Sequence, residues 1–134
     1  MKIKTIFWIG IACTFLQILP LLIYFFSQEF KLILIRDAFG NEPSPHAITM
    51  FDQFVLVIGF IGVGFISMLF GAFSFKDLES LKKLSFLFFV FSLFWALPDL
   101  LNVILGDPAA PLPVIILGLI QLGLFYYGFK KGVA

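Results

Sequence analysis

Three stretches of this chain, 5–28, 53–75 and 108–129, contain no charged side chain, and a fourth, 84–105, contains only Asp99. A helix of about 20 apolar residues crosses a bilayer core of about 30 Å, so each stretch is long enough to span. Composition points the same way. The 134 residues are 61% hydrophobic and 13% charged, with 20 phenylalanines, against about 45–50% apolar and about 25% charged in soluble domains. A chain this short cannot hide that much apolar surface from water, which excludes a soluble monomer. The expected fold is all-α: an integral membrane four-helix bundle in one transmembrane domain over 1–134. Its helices are expected at about 5–28, 45–75, 82–105 and 112–130, with an outer loop at 29–44.

Lysine placement sets the expected orientation, because cytoplasmic loops retain positive charge. Lys2 and Lys4 precede the first span, Lys76, Lys82 and Lys83 separate the second from the third, and Lys130 and Lys131 close the fourth. An even number of spans puts all seven on one side, leaving Lys31 and Arg36 on the other. Both termini are therefore expected to be cytoplasmic; the resemblance described below implies a bacterial inner membrane. A net charge of +1 carries no basic excess for nucleic acid. Cys13 is the lone cysteine, which excludes an internal disulfide and a cysteine-based metal site. Lys2, Lys4 and Gly10-Ile11-Ala12-Cys13 superficially resemble a lipoprotein signal. The apolar run before Cys13 is short, however, and hydrophobicity continues to Phe26, which favours a retained helix with Cys13 as a small buried hydrophobe.

The connections differ in character. The run from Phe30 to Phe39 is too short to span and is expected to lie at the interface or to extend the first helix. Ser44-Pro45 reads as an N-cap followed by proline at the first helical position. The segment 76–83 reads as a solvated hinge, and Gly106-Asp107-Pro108 opens a tight proline-rich turn.

Backbone amides at membrane depth satisfy themselves within helices, so chemistry must come from the few polar side chains there. These are Gln17 on the first span, Gln53 on the second, Asp99 and Asn102 on the third and Gln121 on the fourth. A bundle that binds a lipophilic molecule should bury Asp99 and the three glutamines, hydrogen-bonded to one another and open laterally to lipid, while Asp99 and Asn102, three apart on one face, would suit a proton or cation site or an anchor for a polar ligand group. Asp99 costs about 2.5–3.5 kcal/mol on insertion scales, so it should face a partner or a cavity. Pro98 before it frees a carbonyl near Phe94, and Trp95 could wall a pocket. The competing reading is that the third helix ends early and Asp99 reaches interfacial water. His46, Thr49 and Gln53 recur at helical steps with Asp52 beside them, a candidate outer relay for protons; a lone histidine just after a cap is more usually a solvated surface residue. Gly59, Gly62, Gly64, Ser67 and Gly71 suit close helix packing, and Trp8, Tyr126 and Tyr127 suit interface anchors. One histidine and these spacings assemble neither a metal site nor a hydrolytic triad.

The layout resembles small bacterial four-helix membrane proteins of the DoxX-like kind. The resembling features are a first span, a long outer loop, a glycine-containing second helix from Gly59 to Gly71, a basic hinge at 76–83 and a third helix closed by Gly106-Asp107-Pro108. Where that family is expected to have an arginine with adjacent glycines near the start of the second helix, this chain has Asp52-Gln53. The resemblance implies either a subunit associated with quinone-linked oxidoreductases or a member without known activity. Two functions therefore compete. One is an accessory subunit, in a larger membrane complex or a homo-oligomer, or a binder of a lipophilic molecule such as a quinone or lipid within the bundle. The other is a small membrane enzyme or proton-coupled carrier titrating at Asp99. An enzyme resembling sterol isomerases of the emopamil-binding type would need more acid–base residues at midplane than this chain supplies.

Overall fold

The computed structural model describes residues 1–106 and 110–133. Among these, five helices follow in chain order: α1 (Ile3–Phe26), α2 (Gln28–Phe39), α3 (Pro45–Ala72), α4 (Leu78–Ile104) and α5 (Leu112–Lys131). All except α2 are long and apolar enough to cross a membrane. At 1.5 Å per residue, α5 is about 30 Å long and α3 about 42 Å, so α3 exceeds a bilayer core by about 12 Å.

Local chemistry explains the helix ends. The Ser27 hydroxyl accepts from the Phe30 amide at 3.2 Å and caps α2. That helix stops at Gly40, whose φ of +81° lies in the left-handed region that favours glycine. The segment expected as an outer loop at 29–44 is thus mostly a separate helix, because a cap at Ser27 ends one helix and starts the next. Ser44 caps α3 through the Ala47 amide at 3.1 Å, where the Ser44-Pro45 signature places it. Asp77 caps α4 through the Ser80 amide at 2.7 Å. The lysine-rich segment expected as a hinge over 76–83 is therefore largely the first turn and a half of α4. The proline-rich turn falls partly on 107–109, outside the described residues.

The chain divides into two compact units, 1–17 with 65–134 and 18–64; α1 and α3 contribute residues to both. In the first unit, α4 and α5 pack antiparallel, since Ser85 meets Phe125, Gln121 meets Ser92 and Ala96 meets Gly118. Residues 3–17 of α1 lie antiparallel to α5 in the same way, from Ile3 beside Val133 to Gln17 beside Gln121. The core is aromatic. Phe7 meets Phe88 edge to face with centroids 5.3 Å apart, Phe65 stacks on Phe91 at 4.3 Å, and Phe7, Phe88 and Phe125 are fully buried. Lipid tails are as apolar as leucine, so dispersion and close fit hold such helices together rather than exclusion from water. Glycines permit that fit: an added Cβ on Gly10 would strike the Phe125 ring, and one on Gly128 would strike Ser85.

In the second unit, Tyr24 of α1, Ile35 of α2 and Val55 of α3 form a small buried core, with Leu21, Leu34, Ile48 and Phe51 around it. Gly62 accommodates Ile18. Large apolar side chains outside both cores, such as Phe60, Phe94 and Leu112, are about two-thirds exposed or more, as suits helices whose solvent is hydrocarbon.

Candidate functional site

Gln17 and Gln121 are the two expected site residues that the fold brings together. Each is the inward residue of its helix turn: Thr14 and Gln17 lie three apart on α1, and Gly118, Gln121 and Phe125 are buried in register on α5. Gln17 Nε2 donates to Gln121 Oε1 at 3.1 Å, and Gln121 Nε2 donates to Ser92 Oγ on α4 at 3.3 Å. The Thr14 hydroxyl donates to the Gly10 carbonyl at 2.9 Å and lies 3.3 Å from Gln121 Oε1. All four side chains are buried, and no buried side-chain polar atom among the described residues lacks a partner. Gln121 is the hub of the network and links three helices. It supplies the polar attraction that an apolar interior lacks. Thr14 and Ser92 were not expected as members. Their signal was periodicity: Thr14 shares a face with Gln17, and Ser85 and Ser92 stand seven apart among the buried positions of α4.

Gln53 does not join this set. It is exposed, and Asp99 is only half-buried and unbonded among the described residues, which corrects the expectation of Asp99 and three glutamines buried and bonded to one another. The inward face of α3 in the second unit runs through Asp52, Val55, Gly59 and Gly62 at steps of three and four, and Gln53 stands one residue out of phase. His46 and Thr49 are exposed on the same outward side, and the Thr49 hydroxyl donates to its own helix at the Pro45 carbonyl, 3.0 Å away. The relay expected from His46, Thr49 and Asp52 is thus unconnected among the described residues.

Asp52 instead anchors a second polar group. It accepts a short hydrogen bond from the Tyr24 hydroxyl of α1 and pairs with Lys31 Nζ of α2 at 2.7 Å. Lys31 also lies over the Tyr24 ring, 5.2 Å from its centroid. One anion, one cation and one phenol make a net-neutral cluster joining α1, α2 and α3. Neither Tyr24 nor Lys31 was singled out in sequence, because nothing local announces that α2 folds back toward α3.

Asp99 and Asn102 are half-buried on α4, three residues apart, and neither has a hydrogen bond or ion pair among the described residues. Trp95 is half-buried and stacks on Phe91 with centroids 6.0 Å apart. Cys13 is buried and unpaired. No group of three or more His, Cys, Asp or Glu among the described residues could hold a metal.

The second unit also carries a lateral recess of about 300 Å³, lined by Leu22, Phe25 and Phe26 of α1 and Leu56, Gly59 and Phe60 of α3. Every lining side chain is apolar, so hydrogen bonds could not specify an occupant; a hydrocarbon chain fits its chemistry. Comparisons with protein-family models, with curated proteins and with solved structures find no match to this chain.

Proposed function

We propose that this is a non-catalytic protein of the bacterial inner membrane, with both termini cytoplasmic, that binds a lipophilic molecule, a quinone or a lipid, on its transmembrane helices. The supporting observation is the apolar recess between α1 and α3, one helical turn from the Tyr24–Asp52–Lys31 cluster at Leu56. Hydrocarbon in the recess and polar atoms beside the cluster would suit a molecule with a long tail and a compact polar head. The mutual hydrogen bonding of Gln17, Gln121, Thr14 and Ser92 across three helices favours a packing role for that network. The layout, which resembles that of DoxX-like proteins, would suit an accessory role in a larger membrane complex or a homo-oligomer.

The test is mass spectrometry of small molecules retained in mild detergent by the wild type and by Gly59→Leu, which fills the recess. A quinone or lipid kept by the wild type and lost from the variant is the expected result. Equal retention by both would remove the recess from the proposal.

A second reading rests on Asp99, a carboxylate in an apolar span without a polar partner among the described residues. As a proton carrier it would make transport or turnover depend on that carboxyl. Asp99→Asn abolishing proton uptake into vesicles, with the retained lipophile unchanged, would favour this reading over the first.

A further inference from the structure

Seven of the nine basic residues lie in the first unit, at the ends of its helices: Lys2 and Lys4 at the start of α1, Lys76 after α3, Lys82 and Lys83 early in α4, and Lys130 and Lys131 at the end of α5. Contacts tie these ends together. Lys2 pairs with Val133 through the backbone, Lys4 Nζ donates to the Phe73 carbonyl at 3.0 Å, and Phe86 of α4 packs on Phe129 of α5 with centroids 5.0 Å apart.

The two acids at this end are already engaged. Asp77 accepts from the Ser80 amide, and Glu79 pairs with Lys83 at 2.6 Å. Lys4 is used at the end of α3, and Lys130 lies over the Phe129 ring. That leaves Lys2, Lys76, Lys82 and Lys131 with no acidic partner among the described residues. Exposed Phe75, Phe86, Tyr126 and Tyr127 lie within five residues of Lys76, Lys82 or Lys131 in the chain, the combination of aromatic and basic side chains that suits a membrane interface.

The geometry points to a lysine collar that binds anionic phospholipid headgroups in the adjacent leaflet. Four lysines without an ion-pair partner among the described residues, on four different chain segments, offer cations to a phosphate without a dedicated pocket. Clusters of this size beside membrane spans attract anionic lipid. A free phosphate would meet the same charges but not the aromatic rim, so the lipid is the occupant the surface fits.

The experiment uses the full chain in neutral detergent and measures lipid binding by native mass spectrometry at low ionic strength. The probes are phosphatidylglycerol, phosphatidylcholine and inorganic phosphate. Phosphatidylglycerol should bind the wild type in preference to phosphatidylcholine. K76S/K82S/K131S should weaken it by about a hundredfold, on the basis of the per-lysine attraction near an anionic surface. The triple Lys→Arg variant should retain binding, Arg36→Gln on α2 should leave it unchanged, and salt should shrink the difference. Equal binding of the two lipids, equal binding by wild type and the Ser variant, or full competition by inorganic phosphate would each overturn the collar. Should the Ser triple fail to fold, Lys76→Ser and Lys131→Ser singly, each expected to weaken binding severalfold, decide the question on exposed residues.

Discussion

Gln121 on α5 and Gln17 on α1 stand 104 residues apart in the chain and are joined by a hydrogen bond of 3.1 Å inside an aromatic core. Gln121 also reaches Ser92, so one side chain ties α5 to both α1 and α4. In an apolar solvent such bonds contribute directionality that packing alone does not.

Gln121→Leu should lower stability by about 1–3 kcal/mol, since it strands the Gln17 amide and the Ser92 hydroxyl in a buried site. A double-mutant cycle of Gln17→Ala with Gln121→Ala, followed by reversible unfolding in mixed micelles, should give a coupling of about 0.6 kcal/mol and no more than about 1.7 kcal/mol. Additive effects would mean that the bond holds nothing.

The glycines should separate into two classes. A Cβ at Gly128 would meet Ser85 and come within 3.1 Å of Ile6 Cδ1, whereas one at Gly123 would meet nothing within 4 Å. Gly128→Ala should destabilise by about 1–3 kcal/mol through overpacking. Gly123→Ala should be neutral or stabilising by up to about 1 kcal/mol through helix propensity. Thermal unfolding of the two variants checks the contrast.

The cluster around Asp52 should control the docking of α2 more than global stability. Lys31 and Asp52 are each partly exposed, at 25% and 36%, so water screens the pair and its removal should cost about 1 kcal/mol or less. Asp52→Asn should nevertheless speed amide exchange across 28–39, leaving exchange in α4 and α5 unchanged. Unchanged exchange in α2 would show that Ile35 packing holds it alone.

Asp77 lies outside the spans, and its hydrogen bonds from Ser80 hold its carboxyl below the ordinary value of 3.8. A carboxylate with a depressed folded-state pKa stabilises the fold above its unfolded pKa, and the effect disappears as pH falls through the folded value. The Tm difference between wild type and Asp77→Ala should thus be constant above about pH 5 and shrink as acid protonates the cap. A difference that persists unchanged in strong acid would mean the charge is not what caps α4.

Orientation has a direct check in a Cys13→Ser background. Cysteines at Ser74, after α3, and at Asn41, between α2 and α3, should label from opposite sides of intact cells, with position 74 cytoplasmic. Labelling of position 74 from outside would reverse the inside-positive argument.

Most of the architecture was legible in the sequence. The four long apolar helices follow from where charges are missing, and the start of α3 follows from Ser44-Pro45, because length, hydropathy and capping are local quantities. The lysine distribution is equally local, so the collar's charges could be counted before any fold was known. What escaped was three-dimensional phase and long-range pairing. Gln53 looks equivalent to Gln17 and Gln121 in a list of membrane-depth polar residues, yet one step around α3 puts it outside while Asp52 turns inward. Helix α2 reads as an interfacial stretch until Lys31 meets Asp52 across 21 residues of chain. The sequence by itself determined that this chain is helical and suited to a lipid solvent. Which of its few polar groups found one another was decided by tertiary structure, because each such bond needs two helices in a particular rotation and register, and no single helix encodes that.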